Sequence, residues 1–140
     1  MASYNKFNQF TDDVLVGAHQ FGTHTYKVAL SNTAPSASNA VFADITEISA
    51  GNGYSAGGTA STQTLTTSSG TAKDTAADVT FTASGGTIGP FRYAVIYNST
   101  QTTPLKPLVA WFDYGSAITL NSGDTFTVDF DGTNGLFTMA

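Results

Sequence analysis

The sequence predicts a mainly β protein: an antiparallel β-sandwich, jelly-roll-like or immunoglobulin-like, with one N-terminal amphipathic α-helix. Two observations carry that expectation. From residue 24 onward, short apolar segments recur between Gly, Pro, Asn and Asp turn signals, and no helical pattern interrupts them. Only 11% of the residues are charged, against ~25% in an average soluble domain. Thr, Ser, Gly and Asn take their place, and these favour strands and turns. With 140 residues and a hydrophobic fraction of 41%, the chain suits one two-layer core, so a single domain over 1–140 is expected.

Residues 5–21 carry the helical stripe. Phe7, Phe10, Val14 and Phe21 stand near helical spacing, and Leu15 and Ala18 widen the apolar face. Gly17 costs such a helix about 1 kcal/mol relative to Ala, and Gly22 is a natural stop. The sandwich is expected over 24–139. Tyr26, Val28 and Leu30 alternate with Thr25, Lys27 and Ala29 as in a half-buried strand. Residues 31–40, broken by Pro35, read as a loop, and 41–48 as either a strand or a short helix. A glycine-dense stretch, 50–58, precedes the Thr/Ser-rich 59–69, which alternates like an exposed strand. Further strands are expected at 78–83, 91–98, 108–114, 125–130 and 136–139. Gly85-Gly86, Pro104, Gly115-Ser116, Asn121–Asp124 and Asn134-Gly135 supply the turns between them. The segments 91–98 and 108–114 are the most apolar and are expected to be central, with Trp111 anchoring the core beside Tyr93 and Phe112.

Composition narrows the function. A net charge of −5 with no cluster of Lys or Arg disfavours direct nucleic-acid binding. Without cysteine there is no disulfide, thiolate nucleophile or cysteine metal site. The start lacks a basic-then-apolar leader and no window nears ~18 apolar residues, so neither a signal-peptide route nor a membrane partner is expected.

Several short motifs invite a chemical reading. Gly53-Tyr54-Ser55-Ala56-Gly57 matches a nucleophile elbow, yet that elbow needs a helix after it and a later histidine, and both His19 and His24 precede Ser55. Gly51-Asn52-Gly53 lacks the Lys-Ser/Thr pair of a phosphate loop. Asp129, Asp131 and Asn134 are a weak candidate for a hard cation, since oxygen donors cluster there, although Asp-Gly and Asn-Gly are also ordinary turn chemistry. His19 and His24, with Asp12 and Asp13 upstream, lack the convergent third and fourth ligands of a zinc site. Tyr54, Tyr97 and Trp111 offer an aromatic face for glycans, against the alternative that strand aromatics are core. No catalytic residue and no cofactor is therefore expected. Phe7, Phe10, Val14 and Tyr54 are the interface candidates, with the helical stripe buried either on its own domain or against a partner.

Three groups of segments, taken in order, carry a resemblance. The first comprises the opening Met-Ala-Ser-Tyr-Asn-Lys-Phe-Asn-Gln-Phe, Tyr26–Pro35, Ala43–Ile48 and Gly51–Gly58; the second, Ala77–Ala83 and Ile88–Asn98; the third, Lys106–Leu108, Trp111–Gly115 and Phe126–Phe130. Together they resemble a family of small virion structural proteins of tailed bacteriophages, over nearly the whole chain. The resemblance implies a non-enzymatic role, foremost that of a capsid decoration or cement protein that binds the major capsid protein. It also implies assembly in the bacterial host cytoplasm and residence in the virion. A homo-oligomer, with a trimer favoured, suits the local symmetry axes of a capsid. The alternative is a tail-fibre module that binds a receptor or glycan.

Overall fold

Phe91–Asn98 and Leu108–Tyr114, the two most apolar stretches, pair with each other and form the middle of the main sheet, because only a central position covers both faces of such strands. The structure, a computed structural model, describes residues 3–140. In chain order its elements are β1 (Ser3–Lys6), α1 (Gln9–Leu15), β2 (Tyr26–Ser31), β3 (Thr59–Ser61), β4 (Gln63–Ser68) and β5 (Thr71–Ala76). They continue with β6 (Val79–Thr82), β7 (Ile88–Asn98), β8 (Leu108–Leu120), β9 (Thr125–Val128) and β10 (Phe137–Met139). The main sheet runs β1-β8-β7-β2-β3, and two smaller sheets, β10-β5-β4 and β6-β9, complete the β framework. Every strand pairing is antiparallel. The protein is a mainly β sandwich with one short helix near its N-terminus.

Alternation sorts the side chains onto two faces. Val28, Leu30, Ile96 and Val109 join Val79, Phe81, Val128 and Phe130 in the large core cluster that connects the main sheet to the smaller ones. On the opposite face Ala29, Val95, Tyr97 and Leu108 form a second cluster with Phe7. A 3-10 turn, Phe42–Asp44, covers this face, and the Phe42 ring stacks on Tyr97 at 4.1 Å. The choice between strand and short helix at 41–48 thus resolves as a single helical turn, tied down by Asp44, whose carboxylate accepts the Ala40 and Val41 N–H groups.

Four expectations need correction. The helix does not span 5–21: residues 3–6 pair with β8, and the helix ends where Gly17 takes φ +81. A period-two segment beside the long edge of β8 gains a ladder of sheet hydrogen bonds, which a helix through Gly17 could not match. Gly115-Ser116 is no turn between strands, because β8 continues to Leu120. The surplus residues are absorbed as an irregularity: Phe91 faces Ile118 while Tyr93 faces Asp113, and Gly115 at φ +100 donates to Asp113. Trp111 does not anchor the main core; it is half-buried and packs on Phe7 at 4.6 Å in the second cluster. Strand β5 falls outside every strand the sequence predicts, and it forms a hairpin with β4 through Ser69-Gly70, both at positive φ as a two-residue hairpin turn requires.

Candidate functional site

The glycine-dense loop is built around Tyr54. Its ring is buried, its hydroxyl accepts from Leu30 N at 3.0 Å, and it donates to Glu47 Oε1 at 2.7 Å. The same carboxylate oxygen accepts Gly57 N–H at 2.5 Å, and the Tyr97 hydroxyl donates to Gly57 O at 2.7 Å. Burial raises the pKa of Tyr54, and that of Tyr97 to about 12, so both hydroxyls keep the protons they donate. Gly58 must be glycine here: at φ +78, an added Cβ would overlap the Val28 carbonyl. Exposed Ser55 lies on this brace and leads through a turn into β3, a strand rather than the helix of an elbow. The loop secures the β2–β3 edge of the sheet.

The two histidines belong to a polar network under the helix. His19 Nδ1 lies 3.2 Å from the Tyr26 hydroxyl, and Asn98 Nδ2 lies 2.8 Å from His24 Nδ1. Asn98 also donates to Ala18 O and accepts from Thr100 and Gln101 N–H, which pins the helix-to-strand crossing to the end of β7. Burial drives the His19 pKa down to about 4, so its ring stays neutral at physiological pH. Asp74 on β5 is fully buried and neither carboxylate oxygen has a hydrogen-bond partner among the described residues, so burial pushes its pKa up to about 7.

Asp129, Asp131 and Asn134 do not converge as cation ligands. Asp131 caps a turn: Oδ1 accepts the Thr133 and Asn134 N–H groups and Oδ2 accepts the Asn134 side-chain N–H, so Asn134 offers its donor end. Among the described residues, no three His, Asp or Glu side chains gather closely enough to hold a metal ion.

The interface candidates turn inward. Phe7, Phe10 and Tyr54 are buried within the chain and Val14 is packed against the main core, whereas Leu15 at the edge of the stripe stays exposed. Tyr54 and Tyr97 are likewise interior, and the half-buried Trp111 rests on Phe7, so these three rings do not make a glycan platform.

An open feature lies elsewhere. A groove of about 660 Å³ runs between the β1–β8–β7 side of the main sheet and the segment from β9 to Leu136. Its walls are aromatic: Tyr4 meets Phe112 edge-on at 5.5 Å, Phe112 meets Phe130 at 5.5 Å, and Tyr114 meets Phe126 at 5.7 Å. Tyr114 is 51% exposed and Tyr4 43%. At the rim Arg92 forks onto Asp113, with Nε–Oδ1 2.7 Å and Nη2–Oδ2 3.1 Å, and this pairing holds the Asp113 carboxyl below the usual range. The side chain of Asp129, also in the lining, has no partner among the described residues. Residue patterning missed this groove because it exists only once β1 lies on β8; the alternation of Phe126, Val128 and Phe130 with Thr127, Asp129 and Asp131 was its local trace.

Comparison with known proteins returns no matching family model, no matching curated protein and no matching solved structure.

Proposed function

We propose that the chain is a non-enzymatic structural protein of a tailed-phage virion, a decoration or cement protein that binds the major capsid protein and stabilises the head. The ordered resemblance along nearly the whole chain carries this reading. The structure supports it in kind: Glu47, His19, His24, Asn98 and Asp131 are used in bracing loops, crossings and turns. A braced sandwich with a low-charge surface suits many weak, specific contacts to a shell while offering packaged DNA no cationic row. Cryo-microscopy of the particle tests it. Density for this sandwich repeated over the outer face of the head is the expected result, and density confined to a tail tip would overturn the assignment.

The runner-up, a glycan-binding module of the tail, gains support from the exposed Tyr4 and Tyr114 rings, not from Tyr54, Tyr97 or Trp111. A glycan array read with the wild-type protein and with Tyr114→Ala separates the two: binding lost in the variant favours the module.

A further inference from the structure

We infer that the aromatic groove is one half of a self-association contact, and that the loop carrying Leu105 and Lys106 on a second copy of this chain is the other half. The choice of occupant follows from exposed apolar surface and unpaired charge. Apart from the groove's own Tyr4 and Tyr114, the large exposed apolar side chains of the described residues are Leu15, Val16, Leu65, Leu105 and Met139. Leu105, 58% exposed, is next in sequence to Lys106, whose ammonium has no partner among the described residues. Leu15 and Val16 stand instead beside Asp12 and Asp13. Of the other cations, Lys6 donates to Thr11, Lys73 donates to Thr133 O, and Arg92 is paired with Asp113. Lys27 lies within β2, flanked by Ala60 on β3 and Tyr97 on β7, and so is not on a protrusion.

The groove has the converse character. Arg92 is neutralised by Asp113, and Asp131 is held by its turn with Lys73 nearby, which leaves Asp129 as the uncompensated charge. An aliphatic knob with a cation thus matches an aromatic groove with an anion, and a lysine stem lies well along aromatic rings.

The knob is held in shape before any contact forms. A Thr102–Leu105 bridge closes it, Lys106 N donates to Gln101 O at 2.9 Å, Phe42 N donates to Lys106 O at 2.9 Å, and Gln101 Nε2 donates to Thr103 O at 2.8 Å. Little ordering cost therefore attends binding. A chain cannot fill its own groove: the knob projects beyond the Asn98–Leu108 end of the β7–β8 ribbon, whereas Asp113 at the rim lies five residues farther along β8, roughly 17 Å at the rise of a strand. Two different patches meeting make a head-to-tail contact, which closes into a ring when the rotation allows.

This contact deepens the assembly role proposed above and rests on it for the presence of many copies in one place. The test is native mass spectrometry and light scattering on the full-length protein, with circular dichroism to confirm folding. Wild type is expected to form a discrete oligomer. A knob variant, Leu105→Ser with Lys106→Glu, and a groove variant, Tyr114→Ser with Asp129→Lys, should each be folded monomers. Mixed, they should give a one-to-one heterodimer and nothing larger, because only one intact knob and one intact groove remain. Lys106→Glu and Asp129→Lys should each weaken association several-fold, and joined in one chain they should recover it. A wild-type monomer, an oligomer untouched by these changes, or a mixture that stays monomeric would each overturn the contact. Particle binding by a wild-type monomer would overturn the contact alone, whereas intact oligomers that ignore the particle would overturn only the virion role.

Discussion

Asp74 and His19 tilt stability in opposite directions. Burial lifts the Asp74 carboxyl from 3.8 to about 7, so across that window the folded chain keeps a proton that the unfolded chain has released. Its contribution is fully present below pH 3.8 and is lost as pH rises toward 7. Asp13, raised by burial, adds to the same slope. His19, depressed from 6.5 to about 4, does the reverse: its contribution is present above pH 6.5 and lost as pH falls toward 4. The two slopes offset each other between about pH 4 and 6.5. Removing one exposes the other. Asp74→Asn should therefore be more stable than wild type at pH 8 by about 1–3 kcal/mol, because a neutral amide costs less to bury than an ionised carboxylate, and from pH 4 to 6.5 its stability should rise relative to that of wild type. Urea titrations at several pH values measure both. A variant less stable at pH 8 would mean that the carboxylate has a partner.

At the scale of elements, the N-terminal segment separates what the sequence shows from what only the fold decides. Phe7 is fully buried against Trp111, whereas Leu15 is 74% exposed, although both belong to one apparent stripe. Phe7→Ala should cost about 3–5 kcal/mol. Leu15→Ala should stay within about 0.5 kcal/mol. Thermal melts of the two variants check the contrast, and equal losses would restore the long helix. The strands β2, β7 and the first half of β8 were legible because β2 alternates in sequence, while Phe91–Asn98 and the start of β8 are apolar runs dense enough to signal burial on both faces. The segment before Gln9 was not: Phe7 and Phe10 fit a helical stripe, and the deciding contact, Tyr4 against Phe112, is remote in sequence. Strand β5 hid for a different reason. Thr71–Ala76 has no apolar alternation, and it buries Asp74 on pairing formed mainly by backbone. Ser55 and the histidines could be set aside from motif context, but the roles they take, on a braced loop and in a polar network, follow from long-range contacts through Glu47, Tyr26 and Asn98.

At the scale of the whole molecule, the main sheet is covered on both faces, one by the large core and the other by the Phe42 turn and its cluster. The groove with its exposed tyrosines and the Leu105 knob are among the features that the described residues offer outward. In the proposed role, binding energy comes from repetition, since modest contacts made by many linked copies gain by effective concentration. A cement protein should then occupy a shell in numbers set by its lattice. The most direct measurement is co-sedimentation of purified protein with heads that lack it, titrated to saturation. The account predicts a saturating copy number in fixed proportion to the capsid subunits, with heads that resist heating better when coated. Binding of only a handful of copies per particle, or none, would contradict it.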